Sequence, residues 1–212
     1  MTTAASRSRS ARRRPGRPRG QDSAVVREAA LVAAMELIAR QGFAATSMSQ
    51  VAHAAGISPS GLAHHFRSKQ ALLGAVLARR DELDAVPPRP DEDEPWRAYR
   101  ELVDLARHNM DNRQIVALFM TMVGEAVAPE HPAHEWMLRH YRDVLAQLTA
   151  QVRTDQEAGR VREDAPAERI ARETIALMDG LQVQWLLDPE VDMSRAMAEH
   201  LADLRRCWDL AP

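Results

Sequence analysis

The chain has 212 residues, of which 45% are hydrophobic, 27% charged and only 4% aromatic, a balance that fits a folded helical protein and argues against an all-β sandwich or barrel. It holds no run of about 18 apolar residues that would span a membrane and no apolar stretch after its arginine-rich start that would mark a secretory signal, so a cytoplasmic protein is expected. The net charge of −2 divides unevenly: residues 1–80 hold thirteen Lys+Arg against the three acids Asp22, Glu28 and Glu36, leaving them at +10 and the remainder at −12, the split of an anion-seeking module on an acidic body.

Residues 1–23 carry seven arginines and no apolar period, which predicts a disordered arm. Its Arg14–Arg19 segment, RPGRPR, resembles an AT-hook core. Either the arm is a solvated tail, or Arg14, Arg17 and Arg19 lie along a minor groove, whose negative potential draws arginine.

From Val25 to Gln41, Val25, Ala29, Val32, Ala33, Leu37 and Ile38 follow a 3.6 period closed by Gly42, a first helix. Ser47 and Gln50 have the spacing of a capping box, so a second helix begins at Met48, and Gly56 ends it. Ser58 caps a third helix with Pro59 at its first position, running to about Phe66. Two short helices about a glycine turn make a helix-turn-helix. Ser68 starts a fourth helix, with Leu72, Leu73, Val76, Leu77 and Leu83 as its buried stripe.

In the third helix Leu62 and Phe66 are four apart and turn inward, which leaves Pro59, Ser60, Gly61, Ala63 and His64 outside. That face is small and uncharged, as close approach to base edges in a major groove demands. A metal site on His64 and His65 fails on geometry, because adjacent helical side chains point about 100° apart, and even with His53 joining across the turn no carboxylate or thiolate completes the shell. Lys69 is the only lysine beside 27 arginines. A cation in a helix's first turn opposes the dipole unless an anion binds there, so Lys69 reads as a phosphate contact.

The stretch 86–95, VPPRPDEDEP, breaks the fourth helix. Beyond it lie amphipathic patterns at 96–110, 114–127, 132–157, 166–187 and 193–208. The predicted organisation is therefore all-α: an arm (1–23), a helix-turn-helix domain (24–84), a connector (85–95) and a helical bundle (96–212). Cys207 stands alone, excludes an internal disulfide framework and is expected buried and inert. His134-Glu135 begins like a zincin motif, but His140 follows six residues later where four are required. His131, His134 and His140 are instead expected as an exposed cluster. No metal, cofactor or catalytic constellation is read.

The residues Gly42-Phe43-x-x-Thr46-Ser47-Met48, Val51-Ala52-x-x-Ala55-Gly56-Ile57-Ser58 and Leu62-x-x-His65-Phe66-x-Ser68-Lys69-x-x-Leu72-Leu73 resemble the DNA-binding domain of TetR-type transcriptional regulators over about residues 24–80. The resemblance implies that Thr46 and Ser47 contact phosphate, that Pro59, Ser60 and Gly61 face bases beside the cap Ser58, and that His64 and Lys69 hold backbone phosphates. Ala63 and His64 stand where that family often has two tyrosines, so a phosphate contact is expected to be missing at Ala63.

A reading head of this size needs two copies for a palindromic operator on double-stranded DNA. The helix around Leu177, Leu181 and Trp185 is apolar on most sides, and Met197, Leu201, Leu204 and Trp208 recur three to four apart on the last helix, so these seven are the expected homodimer interface. Phe119, Met120, Met122, Trp136, Met137, Tyr141 and Met178 are plain core by composition. The resemblance implies that some of them surround a small-molecule effector, with Asn109, Gln182 or Gln184 as polar contacts. The expected function is a ligand-responsive repressor. Its rival is an architectural DNA-binding protein of low sequence specificity, driven by the basic arm.

Overall fold

A computed structural model describes residues 19–84 and 94–210. The arm before Arg19, with Arg14 and Arg17, and most of the acidic connector lie outside the described residues. These residues form nine helices: α1 (Arg19–Ala45), α2 (Met48–Ala54), α3 (Pro59–His65), α4 (Lys69–Asp84), α5 (Arg97–Met110), α6 (Arg113–Ala126), α7 (His134–Glu157), α8 (Ala167–Leu187) and α9 (Met193–Trp208). The five amphipathic patterns of the C-terminal part thus become α5 to α9. α1 starts six residues before Val25, because polar residues that continue a helix carry no periodicity to announce it.

The local chemistry of the first four helices is as the sequence predicts. α1 breaks at Gly42 (φ 82°, ψ 163°), a backbone region in which a side chain is strongly disfavoured. Ser47 Oγ then accepts from the Gln50 amide at 3.2 Å while Gln50 Oε1 accepts from the Ser47 amide at 2.8 Å, a complete capping box at the start of α2. Gly56 turns the chain at φ 67°. Ser58 Oγ accepts from the Gly61 amide at 3.0 Å to open α3, and Ser68 Oγ accepts from the Ala71 amide at 3.0 Å to open α4.

Three apolar clusters hold the helices together. The first runs without interruption from Leu31, Ile38, Val51, Leu62, Phe66 and Leu73 of the N-terminal helices into Leu118, Phe119 and Met122 of α6 and Met137 of α7. α1 packs chiefly on α6, so the helix-turn-helix shares its core with the body. Trp96, Tyr99, Leu148 and Ile170 centre the second cluster, Met178, Trp185, Met193 and Met197 the third.

Trp96 takes a left-handed φ of 61° at the entry to α5. Asp155, fully buried on α7, accepts the Trp96 amide at 2.8 Å and ion-pairs with Arg160 at 2.9 Å. The Trp96 indole donates to Asp209 at 2.6 Å. One buried carboxylate therefore fixes where the body begins.

Several expectations need correction. Val25 and Val32 are exposed, because α1 turns Leu31, Ala34, Met35 and Ile38 toward its neighbours. Leu83 is also exposed, and Arg80 takes the inward position on the last turns of α4, 5% accessible. Cys207 is exposed on the outer side of α9. The three histidines are not an exposed cluster: His131 meets Glu125 at 3.4 Å, His134 Nδ1 bonds the Ala126 carbonyl at 2.8 Å, and His140 stacks on Trp136 at 5.3 Å.

The two glycines of the reading module should respond differently to a methyl group. A Cβ at Gly42 would lie 2.1 Å from Glu125 Oε1, whereas one at Gly56 meets nothing within 4 Å. Gly42→Ala should therefore cost about 3 kcal/mol, combining strain with collision, and Gly56→Ala about 1 kcal/mol, as urea unfolding of the two variants will measure.

Candidate functional site

α3 rests on two anchors, the buried Leu62 and Phe66. Pro59, Ser60, Ala63 and His64 are exposed, as the period requires, and Gly61 is half-buried. The glycine has an internal reason as well: a Cβ there would sit 3.2 Å from the cap oxygen of Ser58, which also lies 3.1 Å from the Ser60 hydroxyl. His64 meets His65 edge-on at 5.5 Å, with no third metal-ligating side chain grouped with them among the described residues.

Lys69 does not point at the open amides of α4. Its ammonium lies 4.2 Å from the centre of the Phe43 ring and donates to the Ala44 carbonyl at 3.1 Å. The one lysine is thereby carried to the turn before α2, beside the exposed cap Ser47. Its ammonium keeps protons beyond the one given to Ala44, while the first amides of α2 are already engaged by the Ser47–Gln50 capping box. Thr46 is a correction: it is 3% accessible, and its hydroxyl donates to the Gly42 carbonyl at 2.7 Å, so it braces the turn and offers nothing to a phosphate. Sequence reasoning passed over two exposed arginines next to α3, Arg67 and Arg27, the latter 5.4 Å from the Phe66 ring centre. Their signal was only a charge adjoining the motif. The side chain of Arg19 lies outside what is described.

A cavity of about 80 Å³ lies between α4, α5, α6, α7 and α8. Of the seven residues assigned to an effector, Phe119, Tyr141 and Met178 line it; Met120, Met122, Trp136 and Met137 do not. Met122 and Met137 are core side chains of the first cluster, Met120 packs between clusters, and Trp136 backs the lining residue His140 at an interplanar angle of 11°. Asn109 is buried outside the lining, Gln182 is part of it, and Gln184 is exposed elsewhere.

The polar lining was not legible in the sequence. Arg80 pairs with Asp84 at 2.7 Å and Asp81 at 3.3 Å, its guanidinium 4.3 Å from the Phe119 ring centre. Asp179 accepts the Tyr141 hydroxyl at 2.8 Å and has no ion pair among the described residues. Burial pushes the Asp179 carboxyl up despite the opposing Tyr141 hydrogen bond, and burial likewise raises Asp84 against the pull of Arg80. His140 is driven down, first by burial and then by Arg80, which favours its neutral form. Burial and Asp179 together push the Tyr141 hydroxyl up, keeping it a donor.

The expected dimer face also changes. Leu181, Trp185, Met197, Leu201 and Leu204 are all buried inside the protomer, and Leu177 and Trp208 are partly covered by its own clusters. Periodicity showed that these positions are buried without showing what buries them. Arg113 of α6 reinforces this side, its guanidinium 5.3 Å from the Trp185 ring centre and donating to the Trp185 carbonyl at 3.3 Å. The outward stripe of α8 is Ala176, Gly180, Val183 and Leu187, the last two 47% and 82% accessible.

Residues 30–76 match the family described as bacterial regulatory proteins, tetR family, and residues 97–206 match the BetI-type transcriptional repressor C-terminal domain. The HTH-type transcriptional regulator BetI of Rhizobium meliloti is 31% identical over 75% of this chain and 77% of its own length. Among solved structures, SmeT in complex with triclosan superposes with a TM-score of 0.70 at 21% identity, covering 87% of this chain and 92% of that one; SmeT is the repressor of a Stenotrophomonas maltophilia multidrug efflux pump. A transcriptional regulator of Saccharomonospora viridis in complex with choline gives 0.65 at 23% identity, covering 89% and 100%.

The buried acid of the cavity generates a pH prediction. A carboxyl raised by burial destabilises the fold once ionised, so that cost is present at neutral pH and disappears as the group protonates on acidification. Asp179→Asn should raise the unfolding temperature of the ligand-free protein at pH 7, with the gain shrinking toward pH 4, as calorimetry at the two pH values will record.

Proposed function

The chain belongs to the tetR family of bacterial regulatory proteins, with a BetI-type repressor body, and from that premise we infer how it works as a ligand-responsive transcriptional repressor. The observation that carries the reading is the small, uncharged outer face of α3, exposed at Pro59, Ser60, Ala63 and His64, with Arg67 exposed just past its end and Lys69 bonded at the α1–α2 turn. α3 enters the major groove with Ser60, Ala63 and His64 toward base edges, while Ser47, Lys69 and Arg67 hold phosphates on either side. The task lies in the cytoplasm, where the DNA is. No catalytic role is read, and the kinship gives no support to an architectural binder.

Two subunits related by a twofold axis place two α3 helices on half-sites about 34 Å apart or a multiple of that. The stripe Ala176, Gly180, Val183 and Leu187 supports pairing through α8: it combines small residues, which let helices approach, with two apolar side chains left in water. The buried residues once expected there support the stripe from behind.

The cavity is the effector site, and α4 is the element both sites touch. Its first residue, Lys69, serves the DNA side, and its last turns bring Arg80 and Asp84 to the cavity about 22 Å away. An effector that rearranges the Arg80–Asp84 pair shifts α4 as a rod and alters the spacing of the two α3 helices. Coupling of this kind requires the effector to prefer one spacing over the other, typically by about 1–3 kcal/mol.

Two outcomes test the reading. Lys69→Gln should keep the circular dichroism of the parent and lower the log–log salt slope of operator binding by about 0.9 per subunit, measured by fluorescence anisotropy across salt concentrations. Selection from a random duplex pool should return a palindrome with the parent protein. The double variant Val183→Asp, Leu187→Asp should sediment as a monomer and recover no palindrome. Non-palindromic selection by a dimeric parent would sink the proposal.

A further inference from the structure

Resting on the effector-site reading above, we propose that the cavity recognises a primary or secondary ammonium ion, an effector head group that donates N–H hydrogen bonds, rather than a quaternary ammonium, an anion or a neutral molecule.

The argument begins with charge. The cavity is lined by two carboxylates, Asp84 and Asp179, and one guanidinium, Arg80. Arg80 already faces two acids, Asp84 and Asp81, so its charge is more than met. Asp179 is left without a cation among the described residues, and its partner is a neutral phenol, Tyr141. His140, the remaining titratable lining group, is held toward its neutral form. With both carboxyls ionised the cavity carries an unbalanced negative charge beside three aromatic rings, Phe119, His140 and Tyr141, a setting that attracts cations. An anion would meet two carboxylates at once.

Hydrogen-bonding capacity narrows the class. Asp84 Oδ1 and Gln182 Oε1 are buried with no hydrogen-bond partner among the described residues, and Asp179 has been accounted for by one hydroxyl. These are acceptors, and buried acceptors demand donors; one lining donor, Arg80 Nε, is likewise unpartnered, so the unmet acceptors outnumber the unmet donor. A primary ammonium carries three N–H groups, enough for both carboxylates and the amide oxygen. A quaternary ammonium presents only C–H groups and leaves the same oxygens unmet. The volume of about 80 Å³ admits a head group of a few heavy atoms. A half-buried carboxylate whose hydrogen-bond partner is a neutral phenol is explained when a bound cation offsets the cost of its burial.

The test uses the full-length protein with its selected operator and three probes of similar size: n-propylammonium, tetramethylammonium and n-propanol. n-Propylammonium should raise the unfolding temperature, bind in calorimetry at least about tenfold more tightly than either other probe, and weaken operator binding, a coupling of the size common between linked sites. Asp179→Asn should lose that binding by at least about tenfold while its ligand-free form unfolds at a higher temperature than the parent, so the loss is not one of folding. Asp84→Asn should weaken binding in the same direction. Equal or tighter binding of tetramethylammonium, or retained n-propylammonium binding in Asp179→Asn, overturns the proposal. Triclosan is added as a neutral control: if it releases the operator while n-propylammonium neither binds nor acts, the ammonium class is wrong and the effector site stands. If n-propylammonium binds through Asp179 and the operator affinity does not move, the ligand class stands and the effector reading fails.

Discussion

The hydrogen bond from the Phe43 amide to the Glu125 carboxylate, 2.9 Å long, ties the reading module to the body. It forms where Gly42 breaks α1, and the backbone there takes a shape that brings the amide to α6 only because position 42 has no side chain. The Phe43 ring is then held between the two halves, with His131 edge-on at 5.4 Å and the Lys69 ammonium 4.2 Å from its centre. The one lysine of the chain thus takes its place from an aromatic ring that the body positions. A hydrogen bond to a charged acceptor is worth roughly 1.5–3 kcal/mol. Its larger effect is geometric, since α2 and α3 follow Gly42 in the chain and inherit their orientation from it.

That joint and α4 are two links between the same halves, and they differ in kind. Glu125 grips the turn before α2, a fixed point supported by the continuous core of α1 and α6. α4 is a rod with its first residue at the DNA side and a buried ion pair at the cavity. In the proposed mechanism a rod that moves against a fixed joint changes angle rather than position, and angle is what two reading helices on one duplex would be sensitive to. The charged lining matters for the same reason. Arg80, Asp84 and Asp179 are placed in buried surroundings where an unbalanced charge has large consequences, which is what the proposed effector site draws on.

The reading module was almost wholly legible in the sequence, and the cavity was not. Ser47 with Gln50, Ser58 with Pro59, Gly42 and Gly56 each act through bonds that span three or four residues, so spacing alone discloses them. The cavity is assembled from five helices, and nothing in the neighbourhood of Asp179 or Arg80 announces that they meet. Arg80 was hidden because it continues a leucine stripe, its charge neutralised by acids one and four residues on. Met122, Met137, Leu181 and Met197 were correctly read as apolar and buried but given to the wrong partner, because a helical period reveals that a face is covered and not by what. The exposure of Cys207 and the separate partners of His131, His134 and His140 belong to the same class of tertiary fact.

α3 has seven residues, of which Leu62 alone is fully buried, with Phe66 just past its end as the second anchor, while Pro59, Ser60, Ala63 and His64 are exposed. In the proposed docking, base preference and stability are consequently written in different letters of the same helix. Duplicated copies of such a gene are free to drift toward new binding sequences without passing through unfolded intermediates, and an engineer rewriting Ser60, Ala63 and His64 inherits the sensing apparatus intact, a ready source of mutually insulated genetic switches.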